Sequence, residues 1–187
     1  DPDTLEWMGR FIGRIHAVGA IRPFSHRPAL TVQSFGEEPL AWLLEAGFVA
    51  ADLAAVYRSV AEEALARVRA CFSRAGGVRA IRLHGDCHPG NVLWSSEGPY
   101  FVDFDDCRMG PAVQDIWMLL SGGRADMTRQ LTSVIEGYNE FHDFNPRELH
   151  LVEALRTLHE TLERSAREGK IDAFFEANQE FHRRIQE

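Results

Sequence analysis

The residues best suited to chemistry lie between Leu83 and Asp106. The string His84-Gly85-Asp86-Cys87-His88-Pro89-Gly90-Asn91-Val92-Leu93-Trp94 is followed by Phe101-Val102-Asp103-Phe104-Asp105-Asp106. Gly85, Pro89 and Gly90 oppose a regular helix or strand, so the first string reads as a shaped loop that presents Asp86 and Asn91. Carboxylates and an amide thereby gather around one hairpin. Oxygen ligands of this kind suit Mg2+, which takes one or two carboxylates together with substrate phosphates and water. Phosphoryl transfer asks for few residue types in strict relative placement. An Asp accepts the proton of the attacking hydroxyl, an Asn shortly after it holds Mg2+, and a second Asp after the next strand bridges Mg2+ to the nucleotide phosphates.

The spacing here fits that requirement. His84, Asp86 and Asn91 follow the pattern H-x-D-x-x-x-x-N, and Asp103 stands where the metal-binding Asp should stand. Other readings compete. His84 and His88 with Asp86 between them suggest zinc, although a catalytic zinc usually has three good ligands and an open fourth position. Cys87 suggests a thiol nucleophile, but nothing else in the sequence supplies a matching oxyanion arrangement. The plainest reading is an acidic hairpin turn. Downstream, Gln114-Asp115-Ile116-Trp117 opens a helix. In kinase-like folds an Asp so placed hydrogen-bonds the backbone of the catalytic loop, and Asp115 is assigned that bracing role. The competing reading is an acid favoured by the helix dipole.

The elements that must position these residues are mostly helical. From Thr4 to about Ala20, the residues Leu5, Met8, Phe11, Ile12, Ile15 and Val18 recur at helical spacing, with Asp3 or Thr4 as N-cap. The prolines of Arg22–Pro39 predict loop. Ala41 to Ala55 reads as buried helix. A long helix is predicted from Val49 to Arg74, with Leu53, Val56, Val60, Ala64, Leu65, Val68 and Phe72 on one face and Gly76-Gly77 ending it. Strands are predicted at Ala80–Leu83, Asn91–Trp94 and Tyr100–Phe104, the last two joined by a hairpin loop from Ser95 to Pro99. Helices are then expected over Ala112–Leu120, Ala125–His142 and Pro146–Glu168, with Asn145 as N-cap of the third, and from Asp172 to the end. The fold class is therefore mainly α with a small β-hairpin insert, an α+β arrangement, and the insert holds the chemistry.

Composition narrows the partners. With 28 acidic and 20 basic residues among 187, the formal charge is −8, which argues against a general nucleic-acid binder. The chain is 45% apolar, enough to form a core, and its length suits one domain, with room for an appendage. No apolar run spans a bilayer, and no signal peptide is evident. Cys71, Cys87 and Cys107 are odd in number and lack CxxC spacing, which predicts free thiols in a reducing cytoplasm.

The His84–Leu93 string resembles the catalytic loop of the aminoglycoside phosphotransferase and choline kinase-like superfamily. Within that superfamily the chain is most similar to the bacterial stress response kinase A family of serine/threonine protein kinases. Four stretches carry the narrower likeness: Ile12-Gly13-Arg14-Ile15-His16, Arg22-Pro23-Phe24-Ser25-His26-Arg27-Pro28, Phe101–Asp106, and Gly110-Pro111-Ala112-Val113-Gln114-Asp115-Ile116-Trp117-Met118-Leu119-Leu120. The resemblance implies a protein-kinase-like C-lobe over residues 1–155, with the catalytic loop at 83–94 and a metal-binding strand at 100–106. It makes Asp86 the catalytic base, Asn91 a Mg2+ ligand, and Asp103 the principal Mg2+ ligand, acting in catalysis beside the phosphates. His84 packs under the loop. His88 either touches substrate or phosphate or braces the loop. Asp105 and Asp106 read as solvated acids. ATP is the implied co-substrate and Mg2+ the cofactor, with phosphate passing to a protein Ser or Thr hydroxyl in a stress response. The implied protein is cytoplasmic and monomeric, without nucleic-acid or membrane partners. A small-molecule hydroxyl acceptor, or a non-catalytic helical scaffold, are the alternatives.

The sequence departs from that pattern at both ends. The N-lobe, with its phosphate-covering loop and strand lysine, is not present ahead of the first helix. The single lysine, Lys170, lies too late to serve. The chain begins without an initiator Met and reads as part of something longer. From about Thr157 the text changes, and the expected helical hairpin over 156–187 resembles the FCD ligand-binding domain of GntR-type regulators. There the histidine of a Phe-His pair, here His182, can bind metal, with Asn178 where an Asp ligand is common. His182 as an ordinary amphipathic-helix residue is the simpler reading, and a chimeric origin would explain both ends.

Overall fold

The computed structural model describes residues 1–96, 98–152 and 154. They form two compact units: Asp1–Leu30 with Gly77–Val152, and Thr31–Gly76, which Ala154 joins. The expected lobe over residues 1–155 contains both, and the expected hairpin at 156–187, with Asn178 and His182, lies outside the described residues.

In the first unit, α1 spans Pro2–Gly19 and begins two residues ahead of the Thr4 start read from the pattern. Asp1 is its N-cap, in place of the expected Asp3 or Thr4: its carboxylate accepts the Asp3 amide at 3.2 Å and the Thr4 hydroxyl at 2.8 Å. Pro2 takes the first helical position, where no amide donor is needed. The buried stripe is Met8, Gly9, Ile12, Gly13, His16 and Gly19, while Val18 is exposed. Glycines line this stripe because α1 meets α5 (Arg124–Tyr138) backbone to backbone. A Cβ on Gly9 would lie 2.0 Å from the Val134 carbonyl oxygen, and one on Gly137 would lie 2.0 Å from the Glu6 carbonyl oxygen. That approach drives His16 of α1 into Tyr138 of α5.

The insert is two separate antiparallel pairs. β1 (Ile81–Leu83) pairs with β4 (Arg108–Gly110), placing Ile81 opposite Gly110 and Leu83 opposite Arg108. β2 (Val92–Ser95) and β3 (Gly98–Phe101) form the expected hairpin, with Val92 opposite Phe101 and Ser95 opposite Gly98. β4 is not legible in Arg108-Met109-Gly110, which carries no strand alternation and is recruited by β1. The strand expected at 100–106 ends at Phe101, because the chain turns at Asp103 into a 3-10 turn at Phe104–Asp106. Ala29 bridges to Met109 in parallel, fastening the proline-rich segment to β4. The helix α4 (Val113–Trp117) is shorter than the pattern suggested, and Val113 and Ile116 on it are fully buried. Ile12, Leu83, Val134, Tyr138 and Leu151 complete the core, the aliphatic side chains among them contributing about 1.5–3 kcal/mol each by burial.

The second unit holds a π-helical turn at Gln33–Glu37, α2 (Glu38–Glu45) and α3 (Ala54–Ala75). The buried helix expected over Ala41–Ala55 stops at Glu45, and the loop expected through Pro39 is helical from Gln33. Pro39 fits because it occupies the first turn of α2, where its missing donor costs nothing. α3 begins at Ala54 instead of Val49. Its buried residues are Ala64, Leu65, Val68, Cys71 and Ala75, and Leu53, Val56 and Val60 of the expected apolar face are exposed. Val68, Cys71 and Ala154 form the small core, with Val32 and Phe72 packed on it.

Candidate active site

The loop from β1 to β2 is held from beneath by one carboxylate. Asp115, on the buried α4, accepts the His84 amide at 2.7 Å and the Gly85 amide at 2.9 Å. Two adjacent amides on one carboxylate fix the direction in which the loop leaves β1. Gly85 adopts φ +90°, and a Cβ there would fall 2.1 Å from the Asp106 carbonyl oxygen, so only glycine lets the loop cross the Asp103–Asp106 segment. His84 is buried. Its Nε2 donates to the Val102 carbonyl at 2.8 Å, its Nδ1 accepts the Asp86 amide at 3.4 Å, and its ring lies 4.5 Å from that of Phe104. Both ring nitrogens are thus spent on structure, which ties the loop carrying Asp86 to the segment carrying Asp103.

Asp86 and Asn91 face each other across the loop. Asn91 Nδ2 donates to the Asp86 carbonyl at 2.9 Å and to its carboxylate at 3.3 Å. The amide nitrogen is consumed there, which leaves the Asn91 Oδ1 as the atom that could meet a cation. The Asn91 carbonyl accepts the Val102 amide at 3.0 Å, which sets Asn91 beside the residue preceding Asp103. Asp103 itself is the one non-glycine with positive φ among the described residues, at φ 63° and ψ 65° in the left-handed region. Asp and Asn tolerate that region better than most residues, and backbone of this kind often marks a functional position. Its exposed carboxylate makes no hydrogen bond or ion pair with any described residue. The oxygen donors on Asn91 and Asp103 suit a hard cation such as Mg2+.

His88 serves the loop and faces Asp86. Its Nδ1 accepts the Gly90 amide at 3.0 Å, capping the 3-10 turn Pro89–Asn91, while its Nε2 lies 3.5 Å from the Asp86 carboxylate. Asp106 pairs with Arg108 at 2.5 Å, and the Asp105 carbonyl accepts Arg27. Among the described residues no three His, Cys, Asp or Glu side chains converge to hold a metal ion, so the zinc reading of His84, Asp86 and His88 has no site. Cys87 is buried, and desolvation, with Asp115 and Asp86 adding to it, pushes its thiol far above the ordinary value, so the nucleophile reading also fails.

Sequence reasoning passed over the layer below. His16 Nε2 lies 2.9 Å from the Asp115 carboxylate and its Nδ1 lies 2.9 Å from the Tyr138 hydroxyl, all three side chains being buried. Burial, with Glu148 and Asp115 adding to it, raises Tyr138 far above its usual value, so the phenol keeps its proton in its hydrogen bond with His16. The signal available was a histidine one helical turn after Ile12 on an apolar stripe, and a tyrosine one turn after Val134. Such polar groups enter a core only with partners.

With this geometry in view, comparison with known proteins places the chain. A profile described as the phosphotransferase enzyme family matches residues 1–152, and the chain belongs to that family. Over 156 residues it is 42% identical to stress response kinase A of Escherichia coli K12, and 40% identical to the serine/threonine protein kinase RdoA of Salmonella typhimurium LT2. Each alignment covers 83% of this chain and 47% of the relative, so the chain spans about half the length of these relatives. Among solved structures, an amicoumacin kinase in complex with AMP-PNP, Ca2+ and Ami superposes with TM-score 0.66 at 17% identity, covering 99% of this chain and 59% of that one. A spectinomycin phosphotransferase in complex with ADP and spectinomycin superposes with TM-score 0.55 at 16% identity, covering 83% of this chain and 52% of that one. These likenesses show the kinase-like α+β fold. The resemblance to stress response kinase A read from the motifs is present across the matched residues.

Proposed function

We propose that this chain carries the catalytic machinery of an ATP- and Mg2+-dependent phosphotransferase that phosphorylates protein Ser or Thr hydroxyls in a bacterial stress response. The observation that carries this reading is the loop held by Asp115, in which Asn91 donates to the Asp86 carboxylate while the Asn91 carbonyl accepts the amide of Val102, the neighbour of Asp103. Residues 1–155 are the catalytic lobe, acting as a monomer in the cytoplasm, and none of the described helices is long and apolar enough to cross a membrane.

In this reading Asp86 accepts the proton of the acceptor hydroxyl as the bond to phosphorus forms. Its carboxylate is 38% exposed, so a substrate can reach it, and Asn91 keeps it oriented. Asn91 Oδ1 and the Asp103 carboxylate would hold Mg2+, which neutralises charge on the nucleotide phosphates when bound. His88, whose Nε2 faces the Asp86 carboxylate and whose ring is partly exposed, would meet acceptor or phosphate beside it. Preference for a protein acceptor is supported by the names of the relatives, stress response kinase A and serine/threonine protein kinase RdoA.

The test has two arms in the full-length gene product. Labelled ATP is offered with Ser- and Thr-containing protein or with small alcohols and aminoglycosides. Transfer to protein alone supports the reading, and transfer only to small hydroxyls replaces it. Calorimetric titration of this chain with Mg-ATP forms the second arm, and absence of heat at millimolar nucleotide means the chain by itself is a scaffold.

A further inference from the structure

The helix that carries Asp115 has no cap of its own. Ala112 precedes α4 in helical conformation, without a side-chain hydrogen bond to the first amides. A helix start must place those amides on some acceptor. The acceptor comes from Glu148: Val113 N donates to Glu148 Oε2 at 2.9 Å, and the Ala112 amide also donates to this carboxylate. Glu148 is 4% exposed. It is itself held in place, since it closes the 3-10 turn Pro146–Glu148 whose cap is Asn145, and its own amide donates to the Asn145 carbonyl at 2.9 Å. Two residues beyond Val113, Asp115 turns to the His84 and Gly85 amides.

We propose that Glu148 is a positioning residue for the candidate active site: by capping α4 from 35 residues beyond Val113 in the chain, it sets the register in which Asp115 holds the Asp86-bearing loop. Burial raises the carboxyl above its usual value, while the hydrogen bonds from Val113 and Ala112 and the proximity of His16 lower it. The start of α4 requires an acceptor oxygen at this length. Glutamine supplies one, and methionine, of similar length, supplies none.

The proposal rests on the phosphotransfer reading only for its activity arm. Glu148→Gln, Glu148→Met and Glu148→Asp are made in the full-length gene product and followed by hydrogen–deuterium exchange and by steady-state kinetics. Glu148→Met is expected to speed exchange about tenfold in both the 110–118 and the 83–91 peptides, and to lower kcat about tenfold with the KM for ATP unchanged. Glu148→Gln is expected to leave both near wild type, a rescue that filled volume alone does not give. Glu148→Asp keeps the charge but retracts the oxygens by one methylene, and it should loosen the same two peptides. It carries the test should Glu148→Met not fold. Faster exchange confined to 110–118 in Glu148→Met or Glu148→Asp, with 83–91 as in wild type, overturns the proposal. So does Glu148→Gln behaving like Glu148→Met. A wild-type protein without kinase activity defeats the phosphotransfer reading instead, and the exchange arm still decides the role of Glu148.

Discussion

His16 and Asp115 meet ring to carboxylate at 2.9 Å inside the first unit, with neither side chain open to solvent. Through that contact the first helix of the chain supports the loop that carries Asp86, although the two are far apart in sequence. Asp115 thus serves three donors, the His84 amide, the Gly85 amide and the His16 ring. Asp115→Ala strands all three in the core and is expected to lower unfolding stability by about 3–5 kcal/mol. Asp115→Asn, which keeps one acceptor oxygen, should lose less. Urea unfolding of the full-length protein measures both, and a change within about 0.5 kcal/mol for the alanine variant would contradict the brace.

Cys87 sits between Asp86 and His88 in sequence, yet its thiol faces the interior. Desolvation first, then Asp115 and Asp86, hold it in the neutral form. Thiol-specific alkylation of the native protein at neutral pH should therefore spare Cys87, with mass spectrometry showing label there only after denaturant is added. Rapid native labelling of Cys87 would show that the loop is not held as described.

His142 lines a cavity of about 320 Å3 with Arg79, Asp143, Asn145 and Glu148. Burial lowers its pKa below the ordinary 6.5, His16 and Arg79 lower it further, and Asp143 opposes them. In the unfolded chain the ring takes up its proton first as pH falls, so this group's contribution to stability is full above the ordinary value and is lost below it. The raised carboxyl of Glu148 works in the opposite direction, its native form holding a proton more tightly than the unfolded chain does. Comparing His142→Asn with wild type across pH 5–8 (about the range in which histidine titrates) isolates the histidine. The variant should show a shallower acid loss, and an unchanged slope would refute the assignment.

Asp103 occupies the left-handed region at φ 63°. Asparagine tolerates that region and keeps one oxygen donor, so Asp103→Asn should fold with nearly wild-type stability while losing Mg2+-dependent activity. Asp103→Val should in addition cost about 1–2 kcal/mol of stability, because a β-branched residue resists this conformation. Thermal unfolding with and without Mg2+ separates the two effects. Equal stability for Asn and Val would mean that the strain at this residue is negligible.

The candidate loop was legible in the sequence because it depends on short spacings. His84, Asp86, Asn91 and Asp103 are read from one loop and the residues around one hairpin, and the turn residues from Ser95 to Pro99 mark that hairpin. α1 and α5 were legible from their period. The remainder depends on partners distant in the chain. β4 exists because β1 recruits it, and α4 starts where Glu148 supplies a cap from 35 residues away. The triad of His16, Asp115 and Tyr138 joins three helices that no local window contains. α3 misled for a related reason, since Val56 and Val60 keep the apolar period while standing exposed.

The central claim is that Asp86 takes the proton of an acceptor hydroxyl during phosphate transfer from ATP. Its most direct test compares wild type with Asp86→Asn in the full-length protein, measuring kcat and the KM for ATP by transfer of labelled phosphate. The account predicts a fall in kcat of about 10²–10⁴-fold with the KM for ATP little changed, as expected when a general base is lost from an intact site. Phosphate transfer by Asp86→Asn at the wild-type rate would contradict it.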